Sequence, residues 1–278
     1  MGILEETVRQ FCRTHRLSLN TDLDQHFLID ESVLQSIVEA AHIQLNDHIV
    51  EIGPGIGILT AELLARAHKV TAIEIDDRLI PLLKEYIAHR QAEVSPVRTN
   101  GGKVGSLEIS VGNALETPFP KTPYKIVANI PYHITTPLLR HAFLGSSTHP
   151  TTMTLLIQRE VAEKIVDTED HGLLTILVGL FGKPSLIRTV PPEAFLPPPK
   201  VDSAVLHIEC FQEALTGVAT IEEIFRLTKL GFSQKRKMLR NTLGSLPDGL
   251  ARLKAADIEP TRRPQTLTIG EWIRLAQA

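Results

Sequence analysis

Asn129-Ile130-Pro131-Tyr132 brings a side-chain amide, main-chain carbonyls and an aromatic ring together within four residues. An exocyclic amine on an aromatic base is a poor nucleophile, because its lone pair is delocalised into the ring. The Asn129 amide oxygen, with a main-chain carbonyl at Ile130 or Pro131, would hold both amine hydrogens. That bias toward a pyramidal nitrogen makes it more nucleophilic. Pro131 removes a competing donor and stiffens the turn. Tyr132 offers a face on which an extruded base can stack. No strong base is required, since the nitrogen becomes acidic once substituted. The work is positioning and electrostatics.

A second constellation lies upstream. Val50-Glu51-Ile52-Gly53-Pro54-Gly55-Ile56-Gly57 ends an apolar run and opens a helical one, and Glu74 closes the next strand-like stretch. Glycines such as Gly53 and Gly55 let a ligand approach the backbone. An acid at the end of the following strand accepts the ribose hydroxyls of a nucleoside. A dinucleotide site reads GxGxxG and cradles a pyrophosphate. Here the loop reads GPGIG and follows Glu51, which suits a cationic ligand. S-adenosylmethionine, with its sulfonium and ammonium, fits better than NAD.

These residues need rigid elements behind them. Apolar spacing predicts helices over 31–42, 58–67 and 78–90, and strands over 48–52, 70–75, 107–111, 125–128, 153–157 and 204–208. Strands alternating with helices predict an α/β fold with a parallel, doubly wound, Rossmann-like sheet. Residues 173–181 read as a buried helix, and 95–105 as a loop insertion rich in Pro, Asn and Gly. Beyond Phe211 strand signals vanish, and 221–243 and the final segment read as helices. The expected domains are 1–212 and a helical 213–278.

Composition sets limits. Hydrophobic residues make up 43% of the 278, enough for a packed core. Cys12 and Cys210 are isolated, which suits a reducing cytoplasm. No apolar run reaches the roughly 18 residues of a membrane span. The eleven histidines form no HExxH or Cys/His cluster, so no metal is expected. No heptad seam appears, and a monomer is expected. The net charge of −3 argues against nucleic acid, but its distribution does not. Residues 221–278 hold 11 Lys/Arg against 6 Asp/Glu, a net +5, leaving −8 on the first 220.

Gln25-His26-Phe27-Leu28, the glycine loop, Ala72-Ile73-Glu74-Ile75-Asp76, Asn129-Ile130-Pro131-Tyr132, Phe195-Leu196-Pro197-Pro198-Pro199-Lys200-Val201-Asp202-Ser203-Ala204-Val205 and Arg236-Lys237-Met238-Leu239-Arg240-Asn241 carry a family resemblance. Together they resemble the KsgA-type ribosomal RNA adenine dimethyltransferases, nearly end to end. The resemblance implies a Rossmann-like methyltransferase domain followed by a small helical domain. It implies S-adenosylmethionine as methyl donor. The implied substrate is a pair of adjacent adenosines near the 3′ end of small-subunit rRNA, each taking two methyls, and the implied partner is a precursor ribosomal subunit. By the same resemblance His26 and Leu28 meet the methionine end of the donor, Gly53 and Gly55 line it, and Glu74 holds the ribose. Asn113 meets the adenine amine, and Asn129 sits between donor and target. Tyr132 and Phe195 would sandwich the flipped base. Lys235, Arg236, Lys237 and Arg240, on a helix over 231–240, would contact phosphates, with Lys200, Arg262 and Arg263 as further candidates. Three features depart from the family: Asn113 where it has Asp, the acids in Thr21-Asp22-Leu23-Asp24, and the length of the 95–105 loop. The rivals are a resistance-type enzyme acting on large-subunit rRNA, an N6-adenine DNA or protein-glutamine methyltransferase, against which Ile130 argues, a non-catalytic ribosome assembly factor and, more distantly, an NAD-dependent oxidoreductase.

Overall fold

A computed structural model of the chain describes residues 2–17, 25–93, 105–146, 148–234 and 236–278. In chain order the elements begin with α1 (Ile3–Thr14), β1 (Phe27–Leu28), α2 (Glu31–Ala40), β2 (His48–Ile52), α3 (Ile58–Leu64), β3 (Lys69–Glu74), α4 (Leu79–Glu93), β4 (Ser106–Val111) and β5 (Lys125–Asn129). There follow α5 (Thr135–Leu144), β6 (Thr152–Gln158), α6 (Arg159–Val166), α7 (Leu173–Phe181), β7 (Gly182–Val190), β8 (Phe195–Leu196), β9 (Ser203–Cys210), α8 (Val218–Phe232), α9 (Gly249–Ala255) and α10 (Ile269–Gln277). Short 3₁₀ turns join several of them.

The chain divides into two compact units, Met1–Ala162 with Ser185–Cys210, and Glu163–Pro184 with Phe211–Ala278. The expected division at 212 is therefore corrected: the 163–184 segment, with the buried helix α7, leaves the first unit for the second. An apolar helix needs a partner face, and α7 packs against α10. The transfer also moderates the charge split. Residues 163–184 and 211–220 add two Lys and five Asp/Glu, bringing the helical unit from +5 to +2.

The first unit carries a seven-stranded sheet of order β4-β3-β2-β5-β6-β9-β7. Strands β2 to β6 pair in parallel, as expected, whereas β9 runs antiparallel to β6, with Thr152 opposite Glu209 and Gln158 opposite Ser203. The central strands are buried on both faces and read as apolar runs. β7 escapes a sequence reading because it is the end strand of the order, alternates buried and exposed residues, and carries Pro184. α2 starts where Asp30 Oδ1 accepts the Ser32 and Val33 N–H groups at 2.8 and 3.1 Å. It buries Val33, Leu34, Ile37 and Val38. Strand order reverses between β2 and β5, and that crevice is where open α/β sheets bind ligands.

In the second unit α8 ends at Phe232, not at 243 as expected. The Ser233 hydroxyl donates back to the Leu230 carbonyl at 2.7 Å, competing with continued helix, and Met238 is extended. α10 opens with a capping box, Thr268 with Glu271, and Arg262 donates to the Glu271 carboxylate at 2.5 and 3.1 Å. Arg262 holds that carboxyl at about 2, below its usual 4.5. Its contribution is thus present above 4.5 and fades as pH falls toward 2. Glu271→Ala is expected to destabilise this unit by about 1–2 kcal/mol at pH 7. Denaturant unfolding followed by the fluorescence of Trp272, the single tryptophan, measures it.

Candidate active site

The pocket opens at the carboxyl ends of β2 to β5, walled on one side by the segment leading into β1. The glycine loop leaves β2 in backbone conformations that favour glycine, with φ of +67° at Gly53 and +59° at Gly55. A Cβ on Gly55 would come within 2.9 Å of Phe27 Cε1, so the loop packs against β1 only as glycine. Glu74, 4% exposed, locks the loop from the next strand. Its two oxygens accept the Gly55 N–H at 3.1 Å and the Asp76 N–H at 2.9 Å. Burial raises the Glu74 pKa above the usual carboxylate value, and those two N–H groups offset part of the rise.

Glu51 is 1% exposed and lines the same pocket. Burial pushes its pKa to about 8, with the Thr60 hydroxyl pulling it back in part and the nearby Glu74 carboxylate raising it further. Its Oε2 is buried without a hydrogen-bond partner. An orphaned carboxyl oxygen in a pocket wall is costly unless a ligand donates to it.

Asn129, the last residue of β5, is held by its own amide. Nδ2 donates to the His26 carbonyl at 3.0 Å, which leaves Oδ1 as the free acceptor of a residue that lines the pocket. Of the two carbonyls named from sequence, that of Pro131 accepts the Ile134 N–H at 3.1 Å as the chain enters a 3₁₀ turn. Tyr132 is fixed at its hydroxyl, 2.5 Å from Ser203 Oγ. The His26 ring lies nearly parallel to that of Tyr132, centroids 6.1 Å apart, and its Nδ1 donates to the Pro197 carbonyl at 2.7 Å. Gln25 donates to Asp76 at 3.1 Å, and Arg78 binds the same carboxylate at 2.8 and 2.7 Å. This tethers the β1 segment beside the end of β3.

A family model described as ribosomal RNA adenine dimethylase matches residues 16–278. The chain belongs to that family. It is 38% identical, over 96% of its length and 90% of the relative's, to the "Ribosomal RNA small subunit methyltransferase A" of Dehalococcoides mccartyi. Among solved structures it resembles a dimethyladenosine transferase from Plasmodium falciparum, with 29% identity, TM-score 0.74, and coverage of 90% of this chain and 96% of that one. It also resembles the 23S rRNA methyltransferase ErmE, with 27% identity, TM-score 0.70, and coverage of 90% and 98%. The fold is thus the Rossmann-like fold of the rRNA methyltransferases.

Within this family member the pocket gathers His26, Leu28, Gly53, Gly55, Glu74, Asn113, Asn129, Pro131 and Tyr132. It does not gather Phe195. That side chain is 2% exposed and sits in the core, because β8 pairs with β1 and places Phe195 opposite Leu28. The expected Tyr132–Phe195 sandwich is corrected accordingly. Arg262 is corrected as a phosphate contact by its pairing with Glu271. Lys200, Arg236, Lys237, Arg240 and Arg263 are exposed, with Arg236 and Lys237 on a turn, Arg240 in a short 3₁₀ helix and none of these three on an α-helix. Lys235, the acids at 22 and 24, and residues 95–104 of the loop lie outside the described residues. Among the described residues no helix is long and apolar enough to cross a membrane. Sequence reasoning missed Gln25, Ser203 and the Glu74–Gly55 bond, since each acts through a partner 19 to 71 positions away.

Proposed function

We infer that the chain is an rRNA adenine-N6 dimethyltransferase of the small subunit, using S-adenosylmethionine. The observation that carries the reading is Asn129: an amide oriented by its 3.0 Å bond to the His26 carbonyl, on a residue that lines a nucleoside-type pocket. The pocket fits the donor chemically. The orphaned Glu51 oxygen suits an ammonium, Glu74 suits a ribose, and the glycine loop lets a ligand come close to its own backbone. When bound, S-adenosylmethionine supplies an electrophilic methyl group.

The chain's own residues then prepare the target. Asn129 Oδ1 accepts one hydrogen of the adenine amine. A main-chain carbonyl at Ile130, or the second lone pair of the Pro131 carbonyl that already accepts from the Ile134 N–H, takes the second. Tyr132, its ring pinned by Ser203, stacks on the extruded base. Tyr132→Ala is expected to lower kcat/KM for the RNA about 10–100-fold, the worth of one stacked base. Ser203→Ala, which only unpins the ring, should lose less. Steady-state methylation of small subunits checks both. The exposed Arg236, Lys237, Arg240 and Lys200 are proposed to meet phosphates, which the salt dependence of binding reports. The targets are two adjacent adenosines near the rRNA 3′ end, in a precursor small subunit assembled in the cytoplasm, and the enzyme acts as a monomer.

Labelled S-adenosylmethionine incubated with unmethylated ribosomal subunits tests the reading. Label in small-subunit rRNA that digests to N6,N6-dimethyladenosine supports it. Label in large-subunit rRNA supports the resistance-type reading instead. Binding of subunits without transfer supports an assembly factor.

A further inference from the structure

Asn113 follows β4 and forms the pocket wall beyond Glu74. With the ribose at Glu74, the base of a nucleoside ligand lies toward Asn113. The Asn113 amide has two chemically unambiguous partners. The Leu115 N–H donates to Oδ1 at 3.0 Å, and Nδ2 donates to Glu116 Oε1 at 3.0 Å. Neither bond survives a flip: donor would face donor at Leu115, and oxygen would face carboxylate at Glu116. The backbone keeps the pair in register, since the Glu116 and Thr117 N–H groups donate to the Asn113 carbonyl at 3.0 and 2.9 Å. The Thr117 hydroxyl donates to it as well, at 2.9 Å. The amide is thereby polarised as well as fixed, with one lone pair on Oδ1 and one hydrogen on Nδ2 left to read a base edge.

We propose that Glu116 is a positioning residue that sets the Asn113 amide to select a 6-amino purine, and that it makes position 113 intolerant of a carboxylate. The proposal rests on the adenosyl-cofactor reading. An adenine edge offers a donor at N6 beside an acceptor at N1. A hypoxanthine edge reverses both, so an amide held in one orientation favours the first over the second. An aspartate at 113 would face the exposed Glu116 across the 3.0 Å that Nδ2 now bridges, and two like charges there repel. Glutamine at 116 keeps the acceptor for Asn113 and, turned over, gives a donor to an aspartate.

Calorimetric binding of S-adenosylhomocysteine and S-inosylhomocysteine to the full chain tests this, with apo melting temperatures as the control on folding. Asn113→Asp is expected to weaken S-adenosylhomocysteine about three- to tenfold, as two apposed, partly solvated charges would. Asn113→Asp with Glu116→Gln should return within about twofold of wild type. Glu116→Leu should narrow the adenosyl-to-inosyl preference, and Glu116→Gln, which keeps an acceptor but can also turn a donor toward Asn113, should narrow it less. A merely structural loss would show neither the rescue nor the change in preference. The proposal is overturned if Asn113→Asp binds like wild type with Glu116 in place, if the double variant is no better than Asn113→Asp, or if Glu116→Leu keeps the full preference. Wild type that binds S-adenosylhomocysteine, with variants that do not differ, rejects the proposal alone. Wild type that binds none rejects the cofactor reading and the proposal together.

Discussion

Asn129→Ala is expected to lower single-turnover methyl transfer to small subunits by roughly 10²–10³-fold, the scale on which one preorganised polar group stabilises a transition state. Its amide is already oriented, because Nδ2 is committed to the His26 carbonyl, so Oδ1 reaches the amine with little reorganisation. Asn129→Asp separates charge from orientation. A carboxylate accepts at least as well from the amine, but it cannot donate to His26 O and is repelled by it. The aspartate variant should therefore also fall, by at least ~10-fold, a value between alanine and wild type. Donor binding is expected to fall far less than turnover in both, because the pocket's other walls remain. Rapid-quench kinetics with bound donor separates the two effects. Full activity in Asn129→Asp would place the work in the acceptor alone and remove His26 from the account.

The second large effect concerns Glu51 and has opposite signs for the empty and the loaded protein. In the folded chain its pKa is about 8, raised first by burial. An unfolded glutamate titrates near 4.5. Between those values the folded protein keeps a proton that the unfolded chain has released, so stability falls as pH rises from 4.5 to 8. Glu51→Gln removes that penalty. At pH 8.5 the empty variant should unfold higher than wild type, by a few kcal/mol at most, and the difference should vanish near pH 4.5. The ligand reverses the order. Taking up an ammonium favours the Glu51 carboxylate, so wild-type affinity for S-adenosylhomocysteine should rise with pH toward 8. The glutamine variant should bind roughly 10–100-fold more weakly there, the worth of a charge-assisted hydrogen bond. Thermal unfolding with and without ligand from pH 5 to 8.5 measures both arms. A variant that is less stable when empty at pH 8.5 would show that protein partners such as Thr60 outweigh the burial penalty on the carboxylate.

Much of the site could be read from residue order, because motifs at strand ends combine local chemistry with a local fold. The GPGIG loop is legible since glycine adopts φ of +67° and +59° most readily, between an apolar strand and a helix. Glu74 and Asn129 are legible since each ends an apolar run whose period marks a buried parallel strand. The 11 to 6 excess of basic residues over 221–278 likewise stands in the sequence itself. What pairing over long separations decides lay beyond it. Phe195 carries the same aromatic signal as Tyr132, yet its register opposite Leu28 sends it into the core. Helix α7 looks like part of the sheet domain until its apolar face finds α10, nearly a hundred residues on. The basic run at 236–240 reads as helix by composition, but Ser233 turns the chain first. Glu51 reads as a charged neighbour of the cofactor loop, and burial in the folded pocket is what moves its pKa to about 8. Type and spacing state what a side chain can do. Desolvation and register, which exist only once distant strands meet, decide whether it is placed to do it.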